Sequence, residues 1–123
     1  MLEKQQSILC KKIKYSVSTQ IEILEKAKED FIVRYTDQGM CAAISSVLFA
    51  KYNVLFRCRD IKYIIPSFTH KNVKEICKKN KISTFNFKSL ALNYWFFGSS
   101  DEKTKARIKV FDLLISDLKD KLK

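Results

Sequence analysis

Apolar side chains recur at helical spacing along most of the chain, and that periodicity predicts the elements. From about Thr19 to Tyr35, Ile21, Leu24, Phe31, Ile32 and Tyr35 share one face, while Glu22, Glu25, Lys26 and Glu29 fall elsewhere. Upstream, Leu9, Ile13 and Val17 recur every four residues. They either extend this helix or form a separate one, and the Ser16-Val17-Ser18-Thr19 cluster makes a break there plausible. Asp37-Gln38-Gly39 reads as a turn with Thr36 or Asp37 as N-cap. The helix that follows, about Met40 to Tyr52, is apolar on nearly every face and is expected at the centre of the domain, with Asn53 as its stop.

Further along, Ile61 to Ile65 is a short apolar stretch ended by Pro66. Ser67 or Thr69 can cap a helix over roughly His70 to Asn80. Its apolar face is Val73, Ile76 and Cys77, and Lys71, Lys74, Lys78 and Lys81 form a basic stripe opposite. Phe85 and Phe87 alternate over too few residues to establish a strand, and Leu90 to Phe96 reads as a helical turn or two. In the last helix, Ser99 and Glu102 make a capping box. Phe111, Leu114, Ile115, Leu118 and Leu122 form its apolar stripe. The expected fold is all-α: a single domain over residues 1–123 with four to six helices packed around the helix at about 40–52, residues 1–18 being a separate or extended N-terminal helix.

Composition supports this. Two glycines and one proline are too few for the tight turns of a sandwich or barrel, and 46% hydrophobic residues suffice for a core. The net charge of +11 points to an anionic partner. Lysine supplies most of it, as a solvated coat encoded by AT-rich codons would, so the arginines Arg34, Arg57, Arg59 and Arg107 are the sharper pointers to phosphate or carboxylate. No run is apolar enough to span a bilayer, and Met1-Leu2-Glu3-Lys4 does not open a signal peptide, so no membrane association is expected. Cys10, Cys41, Cys58 and Cys77 lie at wide spacings among apolar residues. They read as small core hydrophobes of a reduced, cytoplasmic protein, with no zinc pattern.

Candidate chemistry centres on Arg107. Helical phase puts it at the head of the apolar stripe, four residues before Phe111. A core-facing guanidinium needs a partner. Either it pairs internally, with Asp37, Asp60 or a helix-end carbonyl, or it clamps a phosphate while Tyr94 or Trp95 stacks on a base. Arg57 and Arg59, if extended, point to one side and would grip a phosphate together; the plainer alternative is an exposed loop. The Lys71, Lys74, Lys78 and Lys81 stripe lacks the side chains that read base edges but suits the phosphate backbone, unless it is simply a solvated face. His70 stands alone, the carboxylates are dispersed, and two glycines cannot build a phosphate loop, so no catalytic, metal or cofactor site is expected.

Gly39-Met40-Cys41-Ala42-Ala43-Ile44, Tyr94-Trp95-Phe96, and Arg107 with Phe111, Leu114, Ile115 and Leu118 resemble a pattern in small bacteriophage-encoded proteins over roughly residues 20–120. In those proteins a proline often follows the Trp-aromatic pair, where this chain has Phe97-Gly98. The resemblance implies a phage origin and action in the host cytoplasm. The expected function is therefore non-enzymatic binding and sequestration of an anionic ligand, a nucleotide or cyclic-nucleotide signal, in antagonism of host defence. The alternatives are a sequence-nonspecific nucleic-acid binder using the lysine stripe, and a protein–protein inhibitor or virion component. A homo-oligomer is compatible with each.

Overall fold

The computed structural model describes residues 14–35, 39–53, 58–82 and 101–123, with the side chains of residues 58, 59, 70 and 101–103 outside that set. The described residues form an all-α fold without strands: α1 (Val17–Asp30), a π-helical turn (Phe31–Tyr35), α2 (Met40–Tyr52), a 3-10 helix (Cys58–Tyr63), α3 (His70–Lys79) and α4 (Asp101–Asp120). The expectations for Leu9, Ile13, Phe85, Phe87, residues 90–96 and the Ser99–Glu102 capping box lie outside the described residues.

Helix α1 begins where the β-branched cluster suggested a break. Ser16 is its N-cap, with Oγ accepting from the Thr19 amide at 3.1 Å. Gln20 is buried but satisfied, its Nε2 donating to the Tyr15 carbonyl at 2.9 Å. Ile21, Ile23, Leu24 and Ala27 make the buried face.

At Phe31 the winding widens. A π-helical turn runs from Phe31 to Tyr35. Three consecutive aromatic or β-branched residues, Phe31-Ile32-Val33, are weak helix formers. Phe31 stays in the core against Phe111, with ring centroids 5.7 Å apart. The wider turn carries Ile32 away from the buried face on which regular helical phase places it, and it is 48% exposed, with Val33 at 76%.

The start of α2 also corrects an expectation. Thr36 and Asp37 lie outside the described residues, and the N-cap is Gly39 at φ 103°, with no side-chain cap. A Cβ at that φ would be strained, so glycine belongs there. Helix α2 buries Met40, Cys41, Ala43, Ile44, Val47 and Leu48 and stops at Asn53 in the left-handed region, as its sequence predicts.

Helices α1 and α4 run antiparallel. Lys28 pairs with Asp112, whereas Lys119 pairs with Glu25 at 3.4 Å. Lys51 reaches Glu22 from α2 at 3.8 Å. These half-exposed pairs contribute roughly 0–1 kcal/mol each and mark register more than they stabilise. Stability comes from the seam: α1 packs against both α2 and α4. Val110, Phe111, Leu114, Ile115 and Leu118 of α4 are buried there. Leu122, expected to continue that stripe, is 56% exposed because the helix ends at Asp120.

Cys41 departs from its expected role as a free small hydrophobe: it is disulfide-bonded. Spacing alone cannot reveal such pairing. The bond removes the ground on which a reduced environment was expected. Cys77 is a free, buried thiol. No helix among the described residues is long and apolar enough to cross a membrane.

Candidate functional site

The residues with candidate chemistry separate into two places. The first is the buried Arg107. Helix α4 carries it one turn before Phe111, and the side chain is fully buried, the largest in the core to be so. The helical phase read from the sequence is therefore correct. Its Nε–H donates to no acceptor among the described residues, but the residue as a whole is engaged. Asp60, one expected partner, is itself buried at 6% exposure. Asp37, Tyr94, Trp95 and Arg57 lie outside the described residues, as does the side chain of Arg59. The Arg59 backbone lies in the 3-10 helix. The expected side-by-side placement of Arg57 and Arg59 therefore lies outside the described residues.

The second place is α3. Thr69 caps it, accepting from the Asn72 amide at 3.1 Å, and Asn72 Nδ2 donates back to the Ser67 carbonyl at 2.6 Å. The preceding segment is anchored by Ile64, Ile65 and Phe68, all fully buried. Val73, Ile76 and Cys77 hold the other face in the core, as the sequence predicts. That packing leaves Lys71, Lys74 and Lys78 exposed along one strip and Lys79 beside them.

The fourth member of the predicted stripe is placed differently. The helix ends at Lys79, and Lys81 adopts φ 57° beyond the Asn80 C-cap. Its amide bonds to the Lys78 carbonyl, and the Ile82 amide bonds to the Cys77 carbonyl at 2.8 Å. This is a Schellman closure with lysine where glycine is usual. Lys81 stays exposed but leaves the helical stripe. The burial that anchors α3 also silences its thiol: desolvation pushes the Cys77 pKa from 9.0 up to about 11.

Charge is unevenly distributed around the fold. Lysines 26, 28, 51, 119 and 123 all sit within 4 Å of carboxylates. Among the described residues, no ion pair involves Lys71, Lys74, Lys78, Lys79 or Lys81, and Glu75 is the one carboxylate on that helix. Three lysines of the strip span about 10 Å, a length over which one strand of a duplex presents about three charges.

An open groove of about 780 Å³ runs along the α1–α4 seam, which local sequence patterns could not reveal because it joins distant segments. Glu25, Glu29, Asp112 and Asp120 line it with Lys28, Lys119 and Lys123, and Ile32 and Ile115 supply its apolar part. Four carboxylates make it a poor site for a phosphate. No group of three or more metal-ligating side chains occurs among the described residues. No protein-family model, no curated protein and no solved structure matches this chain.

Proposed function

We propose that this chain is a non-enzymatic, phage-type protein that binds nucleic acid through the phosphate backbone, using the exposed lysine face of α3. One observation carries the reading: Lys71, Lys74, Lys78 and Lys79 are clustered on one short helix, with Lys81 just beyond it, and no ion pair involves them among the described residues, whereas Lys26, Lys28, Lys51 and Lys119 are paired, although Lys105 and Lys109 of α4 also take part in no ion pair. Side chains that read base edges are absent from this strip, so the binding is insensitive to sequence.

Fluorescence anisotropy with a labelled oligonucleotide tests it. With about four phosphates neutralised, affinity falls about 150-fold between 50 and 200 mM salt. Lys74→Glu with Lys78→Glu weakens binding by about tenfold or more and flattens the salt slope by about two. Lys26→Glu with Lys119→Glu removes the same charge from paired positions and has a much smaller effect. Equal losses from the two double variants would assign the binding to net charge and refute a dedicated face.

A second reading keeps the sequestered nucleotide, and the observation favouring it is the fully buried Arg107 in a strongly basic chain. On this reading the guanidinium meets a phosphate within the core, with Tyr94 or Trp95 stacking on the base. Thermal denaturation with nucleotides and cyclic nucleotides separates the two readings. A nucleotide at 100 times its dissociation constant stabilises by about 2.7 kcal/mol. A set of nucleotides that leaves the melting temperature unchanged removes this reading and leaves the first intact.

A further inference from the structure

Helix α2 presents a second surface, independent of the α3 lysines. At about 100° per residue, Ala42, Ser45, Ser46, Phe49, Ala50 and Asn53 fall in one arc, opposite the buried Ile44, Val47 and Leu48. Ala42, Ser45 and Ser46 are half-buried, and Ala50 and Asn53 are exposed. Phe49 projects from the arc at 52% exposure and makes no ring or cation–π contact among the described residues. No charged side chain lies in the arc, although 30% of the chain is charged. Lys51, the one charged residue of α2, lies on the α1 side and pairs with Glu22 at 3.8 Å. Small and aromatic residues without charge compose the centre of a protein interface, not a solvated helix face.

Two features select a second copy of the chain as the occupant. The first is symmetry. Ala42 and Phe49 lie within about 10° of the centre line of the arc, and Ser45 and Ser46 flank it on either side. A two-fold axis along that line, midway between Ser45 and Ser46, exchanges Ser45 with Ser46 and Ala42 with Phe49. Two antiparallel α2 helices around this axis set each Phe49 ring over the partner's Ala42, where a methyl side chain leaves room for it. The serines at the centre let the helix axes approach to about 8 Å. The second feature is charge. Each copy carries +11, so two copies can meet closely only where neither presents a cation. An acidic partner would be drawn to the lysines and gains nothing from this face. Thirteen residues span about 20 Å, and one such helix pair buries less than the roughly 1,200 Å² of a stable interface, so the dimer is concentration-dependent.

We infer that the outer face of α2 is a two-fold self-association surface, with Phe49 packed against the partner's Ala42. Sedimentation equilibrium of the full chain from about 2 to 500 μM tests it. The average mass is expected to rise from 14.4 kDa toward twice that value. Association should tighten between about 50 and 500 mM salt, because screening relieves the repulsion between copies. Phe49→Ala removes the ring from both copies and weakens association by about tenfold or more. Ser45→Lys sets a cation beside the axis and abolishes it. Both positions are open to solvent, and far-ultraviolet circular dichroism checks that each variant is folded. Leu122→Ala trims an exposed apolar side chain at the end of α4 and leaves association unchanged. A mass of 14.4 kDa at every concentration overturns the inference, and any occupant of the face is then a different protein. Dimers that persist in Phe49→Ala, dissolve equally in Leu122→Ala or weaken as salt rises also overturn it. The α3 reading stands or falls separately, on nucleic-acid binding.

Discussion

Substituting Arg107 measures how much the most deeply buried charge among the described residues contributes to stability. Arg107→Met keeps an unbranched apolar stem of useful length and removes the guanidinium. The native side chain is fully buried and engaged, so its loss leaves partner groups in the interior without their donors. Removing one member of a buried pair costs about 3–5 kcal/mol. A domain of this size has about 5–15 kcal/mol in total. Unfolding entropy of about 2.1 cal/mol/K per residue makes 1 kcal/mol worth about 4 °C, so the melting temperature should fall by about 12–19 °C. Urea denaturation followed by far-ultraviolet circular dichroism gives the same quantity at 25 °C. An unchanged denaturant slope would show that the native state is otherwise intact. Arg107→Lys should recover part of the loss, because an ammonium keeps the charge but not the planar fork of donors. If Arg107→Met instead stays within about 1 kcal/mol of the unaltered chain, the reasoning from burial is wrong. The guanidinium would then be dispensable for folding, and the nucleotide reading would gain its strongest support.

Lys81→Gly should stabilise the fold by about 0.5–1 kcal/mol in the same urea assay. Left-handed geometry costs a side chain about 1–2 kcal/mol, and the extra unfolded-state freedom of glycine returns about 0.5–1 of that. A destabilised Lys81→Gly would mean that the lysine side chain does more than tolerate its backbone. Reductant should lower stability by about 2–4 kcal/mol through the Cys41 disulfide, and mapping of non-reduced peptides should join Cys41 to Cys10 or Cys58; melting curves unaffected by reductant would contradict this. Cys77 has a folded pKa of about 11 against 9.0 in the unfolded chain, so the stability its protonated thiol contributes is complete below pH 9 and declines as pH rises toward 11. Alkylation at pH 8 should therefore label Cys77 only after unfolding, and rapid labelling of the native protein would show that the thiol is not desolvated.

The sequence was legible wherever one local rule governed the outcome. Helix α2 occupies Met40–Tyr52 because a run that is apolar on nearly every face ends at an asparagine that accepts left-handed geometry. The buried position of Arg107 follows from regular helical phase over α4, which has no break between it and Leu118. Where the regular period failed, so did the expectation. Ile32 belongs to the α1 face only if α1 keeps its winding through Phe31, and a π-turn begins there instead. Lys81 belongs to the α3 stripe only if the helix outlasts Asn80, and the Schellman closure ends it first. The Cys41 disulfide and the α1–α4 groove join segments far apart in the chain, which no local period encodes. The candidate site shows the same division. Burial of Val73, Ile76 and Cys77 was enough to foretell that Lys71, Lys74 and Lys78 would face solvent. Tyr63 went unnoticed because Ile61 to Ile65 reads as one apolar stretch. Lys62 and Tyr63 are nevertheless exposed, while Ile61 and Ile64 on either side of them are buried.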